Sequence, residues 1–430
     1  MLAMSLLLLL GLLAISVPVA AVMGVLGLAL NDFFAAMPLQ RAMGEIVWNA
    51  SSEYILIAIP LFVMLGEILL RAGIAERVYN AAAQWLSWLP GGLMHANIGT
   101  SAMFAATSGS SVATAATIGT VAIPQIRQRG YDERLFLGSI AAGGTLGILI
   151  PPSINFILYG LLTNTSVPRL YLAGFIPGFV LAGLFMLIVL VFCLLDRRRG
   201  GMPVETSWAS RLASLPALLP PLFIFLVVVG SIYAGVATPT EAASLGVIAA
   251  LILAAWERRI SLPMLRAVAE GTMRTTAMIM LIIMAAQFLN FVLAAIGITE
   301  GLGKWMEGLG LGKYGTMLLI IVFYLVLGCF METISMMILT TPFIAPIVFS
   351  LGWDPIWWGI VLTVMIEVAL ITPPVGLNLY VVQGMRDRGP VSDVIWGALP
   401  FVFAMLALVG MLMAFPALAL WLPALVMGSG

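Results

Sequence analysis

The sequence predicts an all-α polytopic membrane protein arranged as an inverted repeat, with two re-entrant helical hairpins and two interrupted helices. Three observations predict it. Charged residues make up 9% of the 430, 19 basic and 19 acidic, while 62% are hydrophobic and the mean hydropathy is +1.13. A soluble domain carries about 25% charged residues and has too little interior to cover so much apolar surface. Apolar runs of about 20 residues, the length that spans a bilayer, recur along the chain. The two halves also share short motifs at one offset, and in both halves small polar residues and prolines interrupt the apolar runs. Soluble and disordered classes are thereby excluded. The zero net charge gives no nucleic-acid footprint. Cys193 and Cys329, each inside an apolar run, exclude a disulfide framework or a zinc cluster.

Taken in order, candidate spans cover 3–30, 53–71, 135–160, 173–195, 216–234, 239–256, 275–297, 356–382 and 395–427. No basic segment or small-residue cleavage site precedes the first, so it reads as a retained helix. Stretches 92–124 and 314–350 are too long for one span and are cut in the middle by small polar residues. If each is a hairpin that enters and leaves on one side, fifteen arginines between Arg71 and Arg388 gather on one face. The other face keeps Arg41, Arg169, Lys304 and Lys313. The positive-inside rule then gives nine spans, a cytoplasmic N-terminus and a C-terminus outside. Segments 76–90 and 260–273 mix polar and apolar residues and read as arms lying along the interface. The Met and Trp residues read as lipid-facing packing and interface anchors.

The repeat has an offset near 222. Gly130-Tyr131-Asp132 matches Gly352-Trp353-Asp354, Pro124 matches Pro346, Pro151-Pro152 matches Pro373-Pro374, and Asn155 matches Asn378 after one inserted residue. Residues 1–215 form the first repeat, 216–238 a linker helix and 239–430 the second repeat. An odd number of crossings separates equivalent points, so the second unit is inverted. Inverted repeats with helices broken near the midplane are the architecture of secondary transporters.

Backbone unpaired in hydrocarbon costs several kcal/mol per group, so broken helices at that depth are buried in protein or line a wet cavity. Four places break. The first tip carries Thr107-Ser108-Gly109-Ser110-Ser111 and the second Glu332-Thr333-Ile334-Ser335. The interrupted spans carry Gly143-Gly144-Thr145 with Pro151 to Asn155, and Glu367 with Thr372-Pro373-Pro374 and Asn378. Carbonyls freed by proline and Ser, Thr and Asn oxygens are hard neutral ligands suited to Na+. Helix N-termini at the tips favour an anion. Ser110, Ser111, Asn155, Thr333, Ser335 and Asn378 are therefore candidates for substrate. Ser108, Gly109, Ser110, Gly144, Thr145, Pro151, Glu332, Thr333, Glu367, Thr372 and Pro373 are candidates for Na+. The plainer reading is that small residues let helices pack and Pro-Pro makes a kink; four symmetric breaks favour ion sites. Glu332 and Glu367 have two open readings, a functional intramembrane acid or an acid satisfied by backbone N–H groups.

Glu241, after Thr238-Pro239-Thr240, reads as part of a helix cap. His95 stands thirteen and fifteen residues from Ser108 and Ser110 and reads as structural, against an intramembrane hydrolase. No Walker A motif is present, so the chain does not hydrolyse ATP. A passive channel or ion exchanger remains the other reading of the same architecture.

Several runs resemble one family closely: 107–124 (TSGSSVATAATIGTVAIP), 143–160 (GGTLGILIPPSINFILYG), 235–243 (GVATPTEAA), 332–342 (ETISMMILTTP) and 371–384 (ITPPVGLNLYVVQG). They resemble the large, DctM-like membrane subunit of tripartite ATP-independent periplasmic (TRAP) transporters over nearly the whole chain, least in the first 50 residues. The resemblance implies a bacterial or archaeal inner-membrane symporter that imports C4-dicarboxylate, sialic acid or related carboxylates with Na+ as coupling ion, and no other cofactor. It implies an elevator-type scaffold plus transport domain. It also implies two partners, a small four-helix DctQ-like membrane subunit and a periplasmic DctP-like substrate-binding protein. The alternative of the same architecture is a proton-coupled or passive ion or anion carrier.

Overall fold

The structure, a computed structural model, describes residues 2–15, 17–202, 204–298, 301, 303, 306, 308–386 and 388–428, without the side chains of 2, 3, 6, 10, 14 and 106–108. Its regular elements are helices, as hydrocarbon demands of a chain that must satisfy its own backbone. In order they are α1 (Leu2–Ala14), α2 (Val19–Phe34), α3 (Met43–Ser51), α4 (Ala58–Arg71), α5 (Ile74–Leu86), α6 (Leu93–Ser108), α7 (Ser111–Arg129), α8 (Glu133–Leu149), α9 (Ile154–Thr163) and α10 (Val167–Leu195). The second half has α11 (Trp208–Tyr233), α12 (Pro239–Trp256), α13 (Leu262–Ala295), α14 (Gly312–Gly328), α15 (Thr333–Ser350), α16 (Pro355–Leu370), α17 (Leu377–Gly384), α18 (Val391–Ala414) and α19 (Ala417–Met427). Among the described residues seven helices are long and apolar enough to cross a membrane, or eight with the bent pair α8–α9.

Two helical hairpins stand with their feet together. The Leu93 amide, at the start of α6, donates to Tyr131 Oη just beyond α7, at 3.0 Å. In the second hairpin Lys313 Nζ donates to the Gly352 carbonyl at 3.0 Å, and Tyr314 meets Trp353 edge-on at 5.7 Å. Tyr131 and Trp353 are equivalent positions of the repeat. The glycine before each takes a left-handed φ, +67° at Gly130 and +76° at Gly352. The aspartate after each caps the next helix: Asp132 accepts from the Leu135 amide (2.8 Å) and Asp354 from the Ile356 and Trp357 amides (2.7 and 3.1 Å).

The two units run in opposite directions. Arg386, past α17, pairs with Glu133 at the start of α8 (2.9 Å), while Tyr159 near the end of α9 donates to the Pro355 carbonyl at the start of α16 (2.6 Å). The pairs α8–α9 and α16–α17 are therefore antiparallel, and the hairpin feet lie at opposite ends. Residues 135–149 of α8 and 357–370 of α16 are all buried, so the interrupted helices form the centre. Around them pack both hairpins, α10 and α18. Helices α2, α4, α12 and α13 form a second group.

Some sequence expectations need correction. The run 3–30 divides at Val17-Pro18, and 395–427 divides at Phe415-Pro416, because proline cannot continue the backbone ladder. The polar stretch 260–273 is no separate arm; it is the beginning of α13, a 34-residue helix. At 1.5 Å per residue that is about 51 Å, longer than the ~30 Å apolar core, so the charged turns of α13 project beyond it. The positional counterpart of the arm α5 is 298–309, which follows Gly297 (φ +75°) as α5 follows Gly73 (φ +71°). Half of that counterpart, with Lys304, lies outside the described residues. Trp357 and Trp358 are fully buried rather than lipid-facing; Trp357 stacks on Trp353 at 4.1 Å and its Nε1 donates to the Leu412 carbonyl at 2.9 Å.

Candidate functional site

The first tip sits on the first break. Helix α6 ends at Gly109, whose φ of +59° reverses the chain, and Ser110 caps α7 by accepting from the Ala113 amide at 3.4 Å. A Cβ at Gly109 would lie 3.3 Å from the Pro152 carbonyl, and one at Gly147 2.9 Å from that of Ser110. These glycines bring the tip backbone against α8. The break itself, 150–153 with Pro151-Pro152, lies between the two halves of a bent pair of apolar helices, so the tip meets the chain where α8 gives way to α9. Ser111 Oγ donates to the Thr145 carbonyl at 3.2 Å, and Thr145 Oγ1 to that of Ala142 at 2.8 Å.

Asn378, from the other repeat, closes this half-site. Its Nδ2 donates to the Ala141 carbonyl at 3.0 Å. A Cβ at Gly144 would lie 3.1 Å from that nitrogen and 3.0 Å from the Ser111 carbonyl. Its Oδ1 is buried without a partner among the described residues. Helix α17 packs on α7, and by the same exchange α9, which carries Asn155, packs on α15. Each hairpin is thus completed by the other repeat's interrupted helix.

The second tip is built differently. Glu332 caps α15: Oε1 accepts from the Ile334 amide (3.0 Å) and Thr333 Oγ1 (3.3 Å), and Oε2 from the Ser335 amide (3.1 Å) and Ser335 Oγ (2.7 Å). The reading of Glu332 as an acid satisfied by N–H groups describes its geometry. Gly328, at the end of α14, abuts Ala369 beside the second break, where Thr372 Oγ1 donates to the Val368 carbonyl at 2.6 Å ahead of Pro373.

Glu367 is the opposite case. It is fully buried, with the Leu149 backbone N–H beside its carboxyl and no well-formed hydrogen bond to either oxygen among the described residues. It occupies the position equivalent to Thr145. Asn155 Nδ2 and Ser153 Oγ are likewise buried and unpartnered. The side chain of Ser108 lies outside the described residues. Thr238 and Glu241 form their reciprocal cap, with Glu241 Oε2 accepting from the Thr238 amide and hydroxyl at 2.8 Å each. His95 is buried with Nε2 2.9 Å from the Pro90 carbonyl. Sequence reasoning missed Asn97, Thr100 and Ser101 on α6 and Ser139 on α8, fully buried polar side chains of which Asn97 and Ser139 are hydrogen-bonded to each other. Their i, i+3, i+4 spacing on an apolar arm was the available signal.

The model of a family described as "Tripartite ATP-independent periplasmic transporter, DctM component" matches residues 6–418. A C4-dicarboxylate TRAP transporter large permease protein of Pseudomonas aeruginosa is 35% identical over 384 residues, 89% of each chain. A sialic acid TRAP transporter large permease protein of Vibrio cholerae is 30% identical over 380 residues, 88% of each chain. An isethionate TRAP transporter permease protein DctMQ of Oleidesulfovibrio alaskensis is 31% identical over 92% of this chain and 62% of its own length. Among solved structures, the YdaH transporter of Alcanivorax borkumensis shares the fold, with a TM-score of 0.60 at 17% identity over 94% of this chain and 98% of that one.

Proposed function

The chain belongs to the family of the DctM component of tripartite ATP-independent periplasmic transporters, and from that premise we propose that it is the large permease subunit of a Na+-coupled importer of small organic acids. The family is one of transporter permeases; the chain is a multi-pass membrane protein and not an enzyme. One observation supports the coupling above the others. Two hairpin tips, related by the repeat, abut breaks in buried helices, and neutral oxygens concentrate there while basic side chains do not. Such a site suits a carboxylate flanked by Na+ ions, with Ser110, Ser111, Thr333, Ser335, Asn155 and Asn378 nearest the anion. Carbonyls around Gly109, Gly144, Thr145, Pro151, Thr372 and Pro373, with Glu332 and Glu367, are offered to the cations.

Names of relatives support the acid class: C4-dicarboxylate for one, sialic acid for another. A small DctQ-like membrane subunit is a proposed partner, because a relative named DctMQ extends well beyond the length matched here. A periplasmic binding protein is the other, delivering the acid from outside. The group of helices around α8 and α16 would then carry the site through the bilayer against the group containing α2, α4, α12 and α13. The arginine bias puts the first hairpin's feet and the N-terminus in the cytoplasm of an inner membrane and the C-terminus outside.

The test is reconstitution of the chain with both partners in proteoliposomes, with radiolabelled acid outside. Uphill uptake driven by an inward Na+ gradient is expected. Uptake that ignores the Na+ gradient and follows a pH gradient would replace Na+ by protons; uptake that follows neither would leave a passive carrier.

A further inference from the structure

Four polar side chains, three in the first arm of the first hairpin and one on α8, lie away from the tip. Asn97, Thr100 and Ser101 occupy adjacent turns of α6, and Ser139 faces them from α8; all four are fully buried. Asn97 Nδ2 donates to Ser139 Oγ at 2.9 Å, and Ser139 Oγ donates to the Phe136 carbonyl at 2.7 Å. That leaves Asn97 Oδ1, Thr100 Oγ1 and Ser101 Oγ with no hydrogen-bond partner among the described residues.

Several other buried helical hydroxyls are satisfied within their own helix, although Thr272 and Thr276 of α13 are, like these, buried without a partner among the described residues. Thr117, Thr340, Thr341 and Thr363 each donate to the carbonyl four residues back, at 2.6 to 2.8 Å, the ordinary resolution for such residues in a helix. Thr100 and Ser101 decline that bond and turn their oxygens elsewhere. Room for one of them comes from Gly143: a Cβ there would sit 2.9 Å from Ser101 Oγ and 3.5 Å from the Asn97 carbonyl. A buried hydroxyl or amide left unpaired costs about 1–3 kcal/mol, and these three stand within five residues of one helix.

The repeat shows that hairpin packing does not require them. At an offset of 222 the equivalents of Asn97, Thr100, Ser101 and Ser139 are Leu319, Val322, Phe323 and Val361. The polar cluster is a feature of one half alone.

We propose that Asn97 Oδ1, Thr100 Oγ1 and Ser101 Oγ, with a neighbouring backbone carbonyl, form an additional Na+ site between α6 and α8. Neutral hard oxygens without a basic neighbour suit a monovalent cation. Its position follows from helix rise: Ser101 stands about 12 Å from the foot of α6 at Leu93 and about 14 Å from the tip at Ser110. The site lies along α6 between the tip and the hairpin's feet. It rests on the Na+ reading above.

The probe is Na+ itself. Thermal unfolding of the purified full chain is followed against NaCl, with choline chloride holding ionic strength. Thr100→Val and Ser101→Ala, which preserve shape, should each raise the half-saturating Na+ concentration about tenfold. Asn97→Asp should lower it, since a carboxylate replaces a neutral ligand. Ser111→Ala serves as a tip variant. If Na+ stabilises the wild type and the Ser111 variant shifts while Thr100→Val, Ser101→Ala and Asn97→Asp all behave as wild type, the cluster holds only water and the proposal is overturned. If Na+ does nothing to the wild type beyond choline, the Na+ reading falls and this site falls with it.

Discussion

Glu332 holds in the second hairpin the place that Ser110 holds in the first, 222 positions apart, and each caps the outgoing helix of its hairpin. The serine offers one oxygen at 3.4 Å, whereas the carboxylate gathers two amides and two hydroxyls at 2.7 to 3.3 Å. Glu332→Ala should cost about 1–2 kcal/mol, the usual value of a lost cap, and Glu332→Ser should recover part of it. Unfolding midpoints of the purified variants measure both.

Asn378→Leu removes the 3.0 Å bond to the Ala141 carbonyl from a fully buried position. About 1–3 kcal/mol of stability should be lost. Uptake should fall by more than stability explains, because Gly144 and the Ser111 carbonyl meet at the same point. Equal loss of folded protein and of uptake would assign Asn378 to packing only.

Helices α8 and α18 cross through a pair of glycines. A Cβ on Gly138 would run into the Gly397 carbonyl, and one on Gly397 into that of Arg134. Neither obstacle is a flexible side chain. Gly138→Ala and Gly397→Ala should each destabilise by about 3 kcal/mol or more, at the upper end for overpacking, visible as lost monodisperse protein on gel filtration. Gly410→Ala, where nothing lies within 4 Å, is the control expected to behave as wild type.

Glu367→Gln keeps the volume of the side chain and removes its capacity for charge. Folding should be little affected, because the carboxamide keeps an acceptor oxygen for the neighbouring Leu149 backbone N–H. If the carboxylate serves a cation, Na+-driven uptake should fall about tenfold or more at low Na+ and recover partly at high Na+. Wild-type Na+ dependence would show that the acid is carried neutral.

Much of this was legible because the bilayer simplifies the grammar. Pro151-Pro152 and Pro373-Pro374 fall where helices stop, Asp132 and Asp354 fall where they start, and Gly109 marks the turn of the first tip. What could not be read was three-dimensional exchange. Nothing local says that Asn378 reaches Ala141. Nor does the sequence tell a Trp that meets lipid from Trp357, whose neighbour is Trp353 four residues away and whose N–H finds Leu412. Arg266, Glu270 and Arg274 made the start of α13 look like a surface helix, when its charge reflects only that the helix outruns the apolar layer.

The crossed packing, α17 upon α7 and α9 upon α15, has an evolutionary corollary. A polypeptide holding one repeat would display a hairpin with no partner for its open flank, and a broken helix with nothing to lie against. Two such polypeptides set head to foot would supply each other's missing surfaces. The two units of the present chain meet in that antiparallel way, each supplying a surface that the other lacks.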